Sequence, residues 1–383
     1  DRSQAPRKLI ESPMQAHRHE RQSNQSEEDK ENIYDNSKLS KEIYDISHNS
    51  VNDLINSKLG TTRLQGPKQG SSGKDLNKGM NNLPESVTGK QNFCLHYFEG
   101  KSNRLHMVQY EQGQILSDTM ELGNFIVPRY HRSLLTNEGV IILTGGSMAG
   151  SDKPSNKAFL LDIERTLMTE ISEMIVGRGA HAMVHHGGLI YVLGGVTEER
   201  CPTDSCEVFS PQLNTWSEIA SLNHSCHSAC AISANGSIYK FGGKDANGIV
   251  LQSIERFNGK HWIELNFAHQ KLKLYSNSLV FQVTKNELLI LGGTEENYEN
   301  KTSDSYYLRI SDCEKSNTVQ VRKGPSLPVR EGFWSQEVEW ANGKVYMLQN
   351  VSESHDKSTV LLSEKRLLEF CPGPEEWRVV EYK

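Results

Sequence analysis

Ile190-Tyr191-Val192-Leu193-Gly194-Gly195 is a run of four apolar residues closed by two glycines, and it recurs. Ile141-Ile142-Leu143-Thr144-Gly145-Gly146 precedes it, and Ile238-Tyr239-Lys240-Phe241-Gly242-Gly243 and Leu288-Leu289-Ile290-Leu291-Gly292-Gly293 follow. The first glycines, at 145, 194, 242 and 292, stand 49, 48 and 50 residues apart. A short apolar run ending in glycine reads as a buried strand stopped where no Cβ is tolerated. A period of about 50 residues suits four short strands with their turns. Degenerate copies extend the series: Leu95-His96-Tyr97-Phe98-Glu99-Gly100, with Glu99 46 residues before Gly145, and Val345-Tyr346-Met347-Leu348-Gln349-Asn350, with Gln349 57 residues after Gly292. Six units result.

A second register supports the first. A large apolar residue stands fifteen residues after the first glycine at Phe209, Phe257 and Tyr307, and sixteen after it at Leu161. A tryptophan or a substitute follows seven residues later in Phe209/Trp216, Leu161/Met168, Phe370/Trp377 and Val108/Ile115, while Phe257 reaches Trp262 through the shorter turn Asn258-Gly259-Lys260. Such a pair, repeated, implies that the same two side chains fill the same two holes between neighbouring sheets. Between units, segments such as Gly179–Val184 and Ser225–Cys230 lead into Gly187-Gly188 and Asn235-Gly236, which read as hairpin turns into the glycine-ending strand.

Glycine pair, aromatic and tryptophan at this period resemble the Kelch repeat family over about residues 91–383, and Pro128–Ser133 and Ser253–Phe257 are also similar to segments common in it. The resemblance implies an all-β fold, a six-bladed β-propeller of four-stranded antiparallel blades around a channel. The first unit shows no obvious first strand before Phe93, the second has Leu and Met for aromatic and Trp, and the sixth has Gln349-Asn350 for the glycine pair.

Composition divides the chain at about Lys90. Residues 1–90 hold two aromatics, Tyr34 and Tyr44, whereas all five tryptophans lie beyond, so only the later part can build a packed core. The first 90 residues, rich in Ser, Asn, Gln, Lys and Glu, read as a mostly disordered arm. Within it Leu39, Ile43, Ile46, Val51, Leu54 and Ile55 recur at helical steps. An amphipathic helix near 38–59 is expected, either transient or the end of an oligomerising coiled coil. Beginning with Asp1 rather than Met, the chain reads as a fragment or a processed product.

The net charge of −6 lacks the basic excess that phosphate neutralisation demands, so nucleic acid is not an expected partner. No apolar run is long enough to span a bilayer or serve as a signal sequence, and a membrane partner is not expected either. Seven irregularly spaced cysteines suit a reducing compartment, and a cytoplasmic location is expected.

The glycine pairs Gly145/Gly146, Gly194/Gly195, Gly242/Gly243 and Gly292/Gly293 read as structural, since none sits in a phosphate-cradling motif. Cys201, Cys206, His224, Cys226, His227 and Cys230 have metal-ligand chemistry, but their spacings are Cys-x4-Cys and Cys-x3-Cys rather than the zinc pattern. On a strand through 225–232, Cys226 and Cys230 would share one face and pack as small buried side chains, with His227 on the other. His185 and His186 fall before a turn, where exposed histidines are unremarkable. No nucleophile motif is present, and Glu198, Glu199, Asp304 and Asp312 fall in expected loops. No metal, cofactor or catalytic residue is expected.

Aligning the segments that enter each first strand places Arg129, Arg178, His224 and Arg330 together, with Lys273 one residue out of register. A circle of cations at the channel mouth would bind carboxylates or phosphates, and in some Kelch propellers, as the resemblance implies, such arginines contact acidic motifs. Equally, such an arginine could brace its own blade by bonding nearby carbonyls. The expected function is a non-catalytic protein-interaction module or scaffold, a substrate adaptor among the roles the resemblance implies. The alternatives are a propeller enzyme with a metal site at the channel mouth, like the copper oxidase for galactose, and sugar or small-ligand binding in the channel.

Overall fold

The computed structural model describes residues 92–382, apart from 112–113, 137–138, 149, 152, 269–271, 298–299, 312, 331–332, 334–336 and 351–364. The arm, with the helix expected at 38–59, lies outside the described residues.

Six sheets follow one another along the chain. The first is β1 (Phe93–Phe98), β2 (Arg104–Glu111) and β3 (Gln114–Glu121). Four-stranded meanders come next: β4 (Arg132–Leu135) to β7 (Leu167–Ile171) through β5 (Val140–Thr144) and β6 (Ala158–Asp162); then β8 (Ala182–His186), β9 (Leu189–Leu193), β10 (Cys206–Ser210) and β11 (Thr215–Ile219). The fourth runs through β12 (Cys230–Ala234), β13 (Ser237–Phe241), β14 (Ile254–Phe257) and β15 (Trp262–Glu264). A short β16 (Asn266–Phe267) then adds, in parallel, to the outer edge of the fifth sheet, which is β17 (Leu279–Thr284), β18 (Glu287–Leu291), β19 (Ser305–Arg309) and β20 (Thr318–Lys323). The sixth is β21 (Val338–Ala341), β22 (Lys344–Asn350), β23 (Lys365–Cys371) and β24 (Glu376–Val380). All other pairings are antiparallel between neighbours in sequence, as a meander requires.

The middle strands are covered on both faces, so burial in them runs on rather than alternating. Val140–Thr144 and Ala158–Asp162 are buried at every position. The cores lie between sheets. Ile142 and Leu160 of the second meet Ile190, Val192 and Phe209 of the third. Phe93, Leu95 and Val108 of the first meet Tyr346, Leu348 and Leu367 of the sixth, which closes the ring. The fold is a six-bladed β-propeller. Leu95 pairs with Val108 as Ile190 pairs with Phe209, so β1 holds the second-strand position, and the first blade shows three strands among the described residues.

The aromatic register has a direct structural cause. Phe209 faces Trp216, Phe257 faces Trp262 and Phe370 faces Trp377 across the third and fourth strands, with ring centroids 5.0, 5.1 and 4.6 Å apart. Each indole donates to a carbonyl of the segment crossing above it: Trp216 to Ser172 (2.7 Å), Trp262 to Ala220 (2.9 Å) and Trp377 to Pro325 (3.2 Å). Blade five solves the same packing problem otherwise. A one-turn helix, α1 (Cys313–Ser316), lengthens its turn, and Arg322 faces Tyr307 with its guanidinium 3.5 Å from the ring centre. In blade one the expected Val108/Ile115 pair is offset: Val108 faces Ser117 and Ile115 faces Tyr110.

In a meander the turns joining strands one to two and three to four lie on one face of the ring. The loops leaving strand two, and the segments entering strand one, lie on the other. That second face carries all five cations singled out from the sequence.

Candidate interaction face

The entering segments share a backbone plan. Arg129 bridges Ser147, Gly179 bridges Val196, His227 bridges Lys244 and Ser276 bridges Thr294. The next residue in each case, Tyr130, Ala180, Ser228 or Asn277, is left-handed, with φ of 58, 52, 55 and 52°. These residues are linked in series: the amide of Ala180 donates to the Tyr130 carbonyl (2.8 Å), Ser228 to Ala180 (2.7 Å), Asn277 to Ser228 (2.9 Å) and Phe333 to Asn277 (2.9 Å).

This series fixes the true register, and the expected circle of equivalent cations does not survive it. Arg129 is itself a bridge residue, Arg178 stands one place before the bridge at Gly179, and His224 and Lys273 stand three places before His227 and Ser276. Arg330, counted from Phe333, stands two places before the corresponding position. The loops differ in length, so matching by residue type aligned places that the backbone keeps apart.

Their environments differ as well. Arg178 is fully buried. Its Nη1 donates to the carbonyls of Gly194 (2.7 Å) and Ser205 (2.8 Å), and its Nη2 to Ser205 Oγ (2.8 Å) and Glu207 Oε1 (2.7 Å). Glu207, also buried, accepts the amides of Ile175 (2.6 Å) and Val176 (3.0 Å). Arg178 therefore braces its blade, the second of the two readings open from the sequence, and offers no donor to a partner. His224 is paired with Glu264 of β15 at 3.2 Å, toward the outside of its blade, and Lys273 is paired with Glu295. Arg129 and Arg330 are exposed on the loop face, and among the described residues no acidic side chain is bonded to them in this way.

The glycine pairs belong to the same construction. A Cβ on Gly145 would stand 2.2 Å from the Arg178 carbonyl, and one on Gly194 would stand 2.5 Å from the Cys226 carbonyl. Gly146 and Gly195 donate their amides to those carbonyls at 2.9 and 2.8 Å. Glycine is required because the next blade's entering segment lies directly on the backbone.

The Kelch motif matches residues 177–223, the stretch from the Arg178 brace through the third blade. Among curated proteins, the chain is 31% identical to human Kelch-like protein 23 over 119 residues, 30% of this chain and 21% of that protein. It is 23% identical to Kelch-like protein 41b of Danio rerio over 165 residues, 43% of this chain and 27% of that protein. The chain carries a Kelch repeat. The matches span about a quarter of those relatives' own lengths. A solved structure, that of YjhT, superposes with a TM-score of 0.57 at 12% identity, covering 79% of this chain and 99% of that one, a likeness of fold.

Within the Kelch blades the cysteine and histidine cluster comes apart. Cys206 and Cys226 pack between the third and fourth blades, Cys230 between the fourth and fifth, and Cys201 is exposed. The shared face expected for Cys226 and Cys230 fails because the strand begins only at Cys230, after left-handed Ser228 has broken the alternation. Burial pushes the Cys206 and Cys230 thiols up to about 12. Among the described residues no three His, Cys, Asp or Glu side chains are placed to hold a metal ion, and no helix is long and apolar enough to cross a membrane. His186 ends β8 before the Gly187-Gly188 turn, with Nδ1 2.7 Å from Ser233 Oγ.

The exposed arginine at blade two has a specific setting. The Arg129 guanidinium lies 5.0 Å from the centre of the Tyr130 ring, with Nη2 3.2 Å from the Tyr130 hydroxyl. Tyr130, Ile126 and Ile175, all on entering segments, are 49, 38 and 50% exposed. Sequence reasoning missed Tyr130, although the Arg-Tyr adjacency in Pro128-Arg129-Tyr130-His131 was a visible signal.

Proposed function

We propose that the propeller is a non-catalytic module that binds protein partners on its loop face, recognising acidic motifs through Arg129 and Arg330. The observation that carries this reading is the exposed Arg129 guanidinium set beside an exposed tyrosine ring, 5.0 Å from its centre. With Nη2 held by the Tyr130 hydroxyl, the guanidinium keeps its remaining donors available for a carboxylate, and the exposed ring adds apolar contact of the kind found at interface anchors. The Kelch-like relatives support a propeller used in this way. His224 and Lys273, already paired, are secondary contacts, and Arg178 supports the surface from beneath.

The test is capture of partners from the cell of origin by the full chain and by an Arg129→Glu/Arg330→Glu variant, with the melting temperature measured alongside. Loss of two charge-assisted contacts should weaken capture of acidic-motif partners by roughly tenfold or more. The melting temperature should stay within about 2 °C, because both groups are exposed. Undiminished capture by a folded variant would refute the reading.

A further inference from the structure

Glu337, immediately before β21 of the sixth blade, reaches two other blades at once. Its Oε2 accepts the amide of His96 in β1 at 3.1 Å and stands 2.6 Å from His96 Nδ1, while its Oε1 accepts the amide of Leu135 in β4 at 3.0 Å. His96 is buried, and its Nε2 lies 3.1 Å from Ser133 Oγ, also of β4. A single carboxylate thus joins blades six, one and two.

The position matters because of the backbone series around the ring. Links between entering segments run from Tyr130 in blade two to Phe333 in blade six, each an amide donating to the preceding blade's carbonyl. The described part of blade one begins at its second strand, and the series passes through blades two to six. Glu337 spans the remaining interval, serving backbone amides on inner strands as a neighbouring strand's carbonyls would. Charge-assisted bonds from buried amides are the strong kind, and an amide that loses its acceptor in such a place is costly.

We propose that Glu337 is the clasp that closes the ring across the first blade and, through it, a positioning residue for the interaction face. Arg330 lies seven residues before Glu337, and Arg129 lies six before Leu135, so the clasp fixes the chain just beyond both exposed arginines. This second half rests on the binding reading above, whereas the clasp itself does not.

The experiment is amide hydrogen exchange on the full chain with Glu337→Ala and Glu337→Gln, read beside partner capture. In the alanine variant the His96 and Leu135 amides should exchange roughly tenfold faster or more, while strands β8 to β19 stay within about twofold. The glutamine variant keeps one carbonyl oxygen and should fall between, and it carries the test if the alanine variant fails to fold. Unchanged exchange at the two amides, or equal acceleration in every blade, overturns the clasp. A loosened seam with undiminished capture overturns the positioning role, whereas loss of capture by the arginine variant with an intact seam bears only on the binding reading.

Discussion

Blades three and four bury the same glutamate and neutralise it differently. Glu207 of β10 and Glu255 of β14 both stand two residues before the aromatic that meets the tryptophan, and both use a carboxylate oxygen to hold the amide of an entering segment. In blade three the cation is Arg178, from that segment. In blade four the equivalent place, marked by the carbonyl resting on a glycine, belongs to Cys226, and the cation is Lys240 of β13, 3.1 Å from Glu255 and fully buried. The location in space is kept while the residue in the chain has moved. The spatial constant is a buried carboxylate that pins a loop and needs a positive charge beside it. A cation at the loop position therefore follows from the charge of the glutamate as much as from any partner.

Removing either cation should show the constant at its largest. Arg178→Met or Lys240→Met leaves a buried carboxylate unpaired and should cost about 3–5 kcal/mol of stability in urea unfolding. The double variants separate the blades. Glu255 holds one described loop amide, that of Asn223 at 2.7 Å, whereas Glu207 holds two, and Arg178 also serves three carbonyls. Lys240→Met/Glu255→Leu should recover most of the loss, and Arg178→Met/Glu207→Leu should remain below wild type by about 2 kcal/mol or more, from polar groups left without partners. Equal recovery in the two blades would show that the loop bonds contribute little.

The same pair of blades shows what could be read in the chain. The period was legible because each glycine pair meets a backbone carbonyl and each Phe–Trp pair fills one hole, so composition and geometry coincide. Blade five hid its pair, since α1 moved the aromatic's partner fifteen residues on and Arg322 replaced tryptophan. The rim cations were legible as residues but not as places. Their register is set by bridges and left-handed residues such as Ala180 and Ser228, which carry no side-chain signature. Clasp residue Glu337 lies outside the repeat and left no periodic trace. Burial of Arg178 depends on Glu207, 29 residues away, and only the fold brings them together.

Histidines beside the entering segments give a second, smaller contrast. His181 in blade three is fully buried, with Nε2 2.8 Å from Thr144 Oγ1, and burial, with Arg178 and Arg132 nearby, holds its pKa well below the ordinary value. His227 in blade four is lowered to about 4, by burial first and then by Lys244 and Arg132, with Asp245 acting the other way. In both the folded state stays neutral while the unfolded chain takes a proton below about pH 6.5, so stability is complete above that pH and falls as pH drops toward 4. A fall from 6.5 to about 4 corresponds to about 3 kcal/mol, which the partial exposure of His227 reduces. His181→Gln should therefore flatten stability between pH 4 and 6.5 more than His227→Gln. The reverse order would mean that His181 is already protonated in the folded state.

The smallest effect tests whether the loops of the two blades are held redundantly. Trp216→Phe and Trp262→Phe each delete one indole bond to a loop carbonyl while keeping an aromatic against Phe209 or Phe257. Ser172, the acceptor in blade three, is also tied to Asn214, through its amide to Oδ1 at 3.0 Å and through its hydroxyl to the carbonyl. Trp262 is the more deeply buried of the two, and its acceptor Ala220 offers no side-chain polar group for a second tie. Trp216→Phe should cost about 0.5–1 kcal/mol and Trp262→Phe about 1–2 kcal/mol, read as the difference in urea midpoints at constant m-value. A larger loss at Trp216 would mean that the Asn214 bonds depend on the indole bond rather than backing it up.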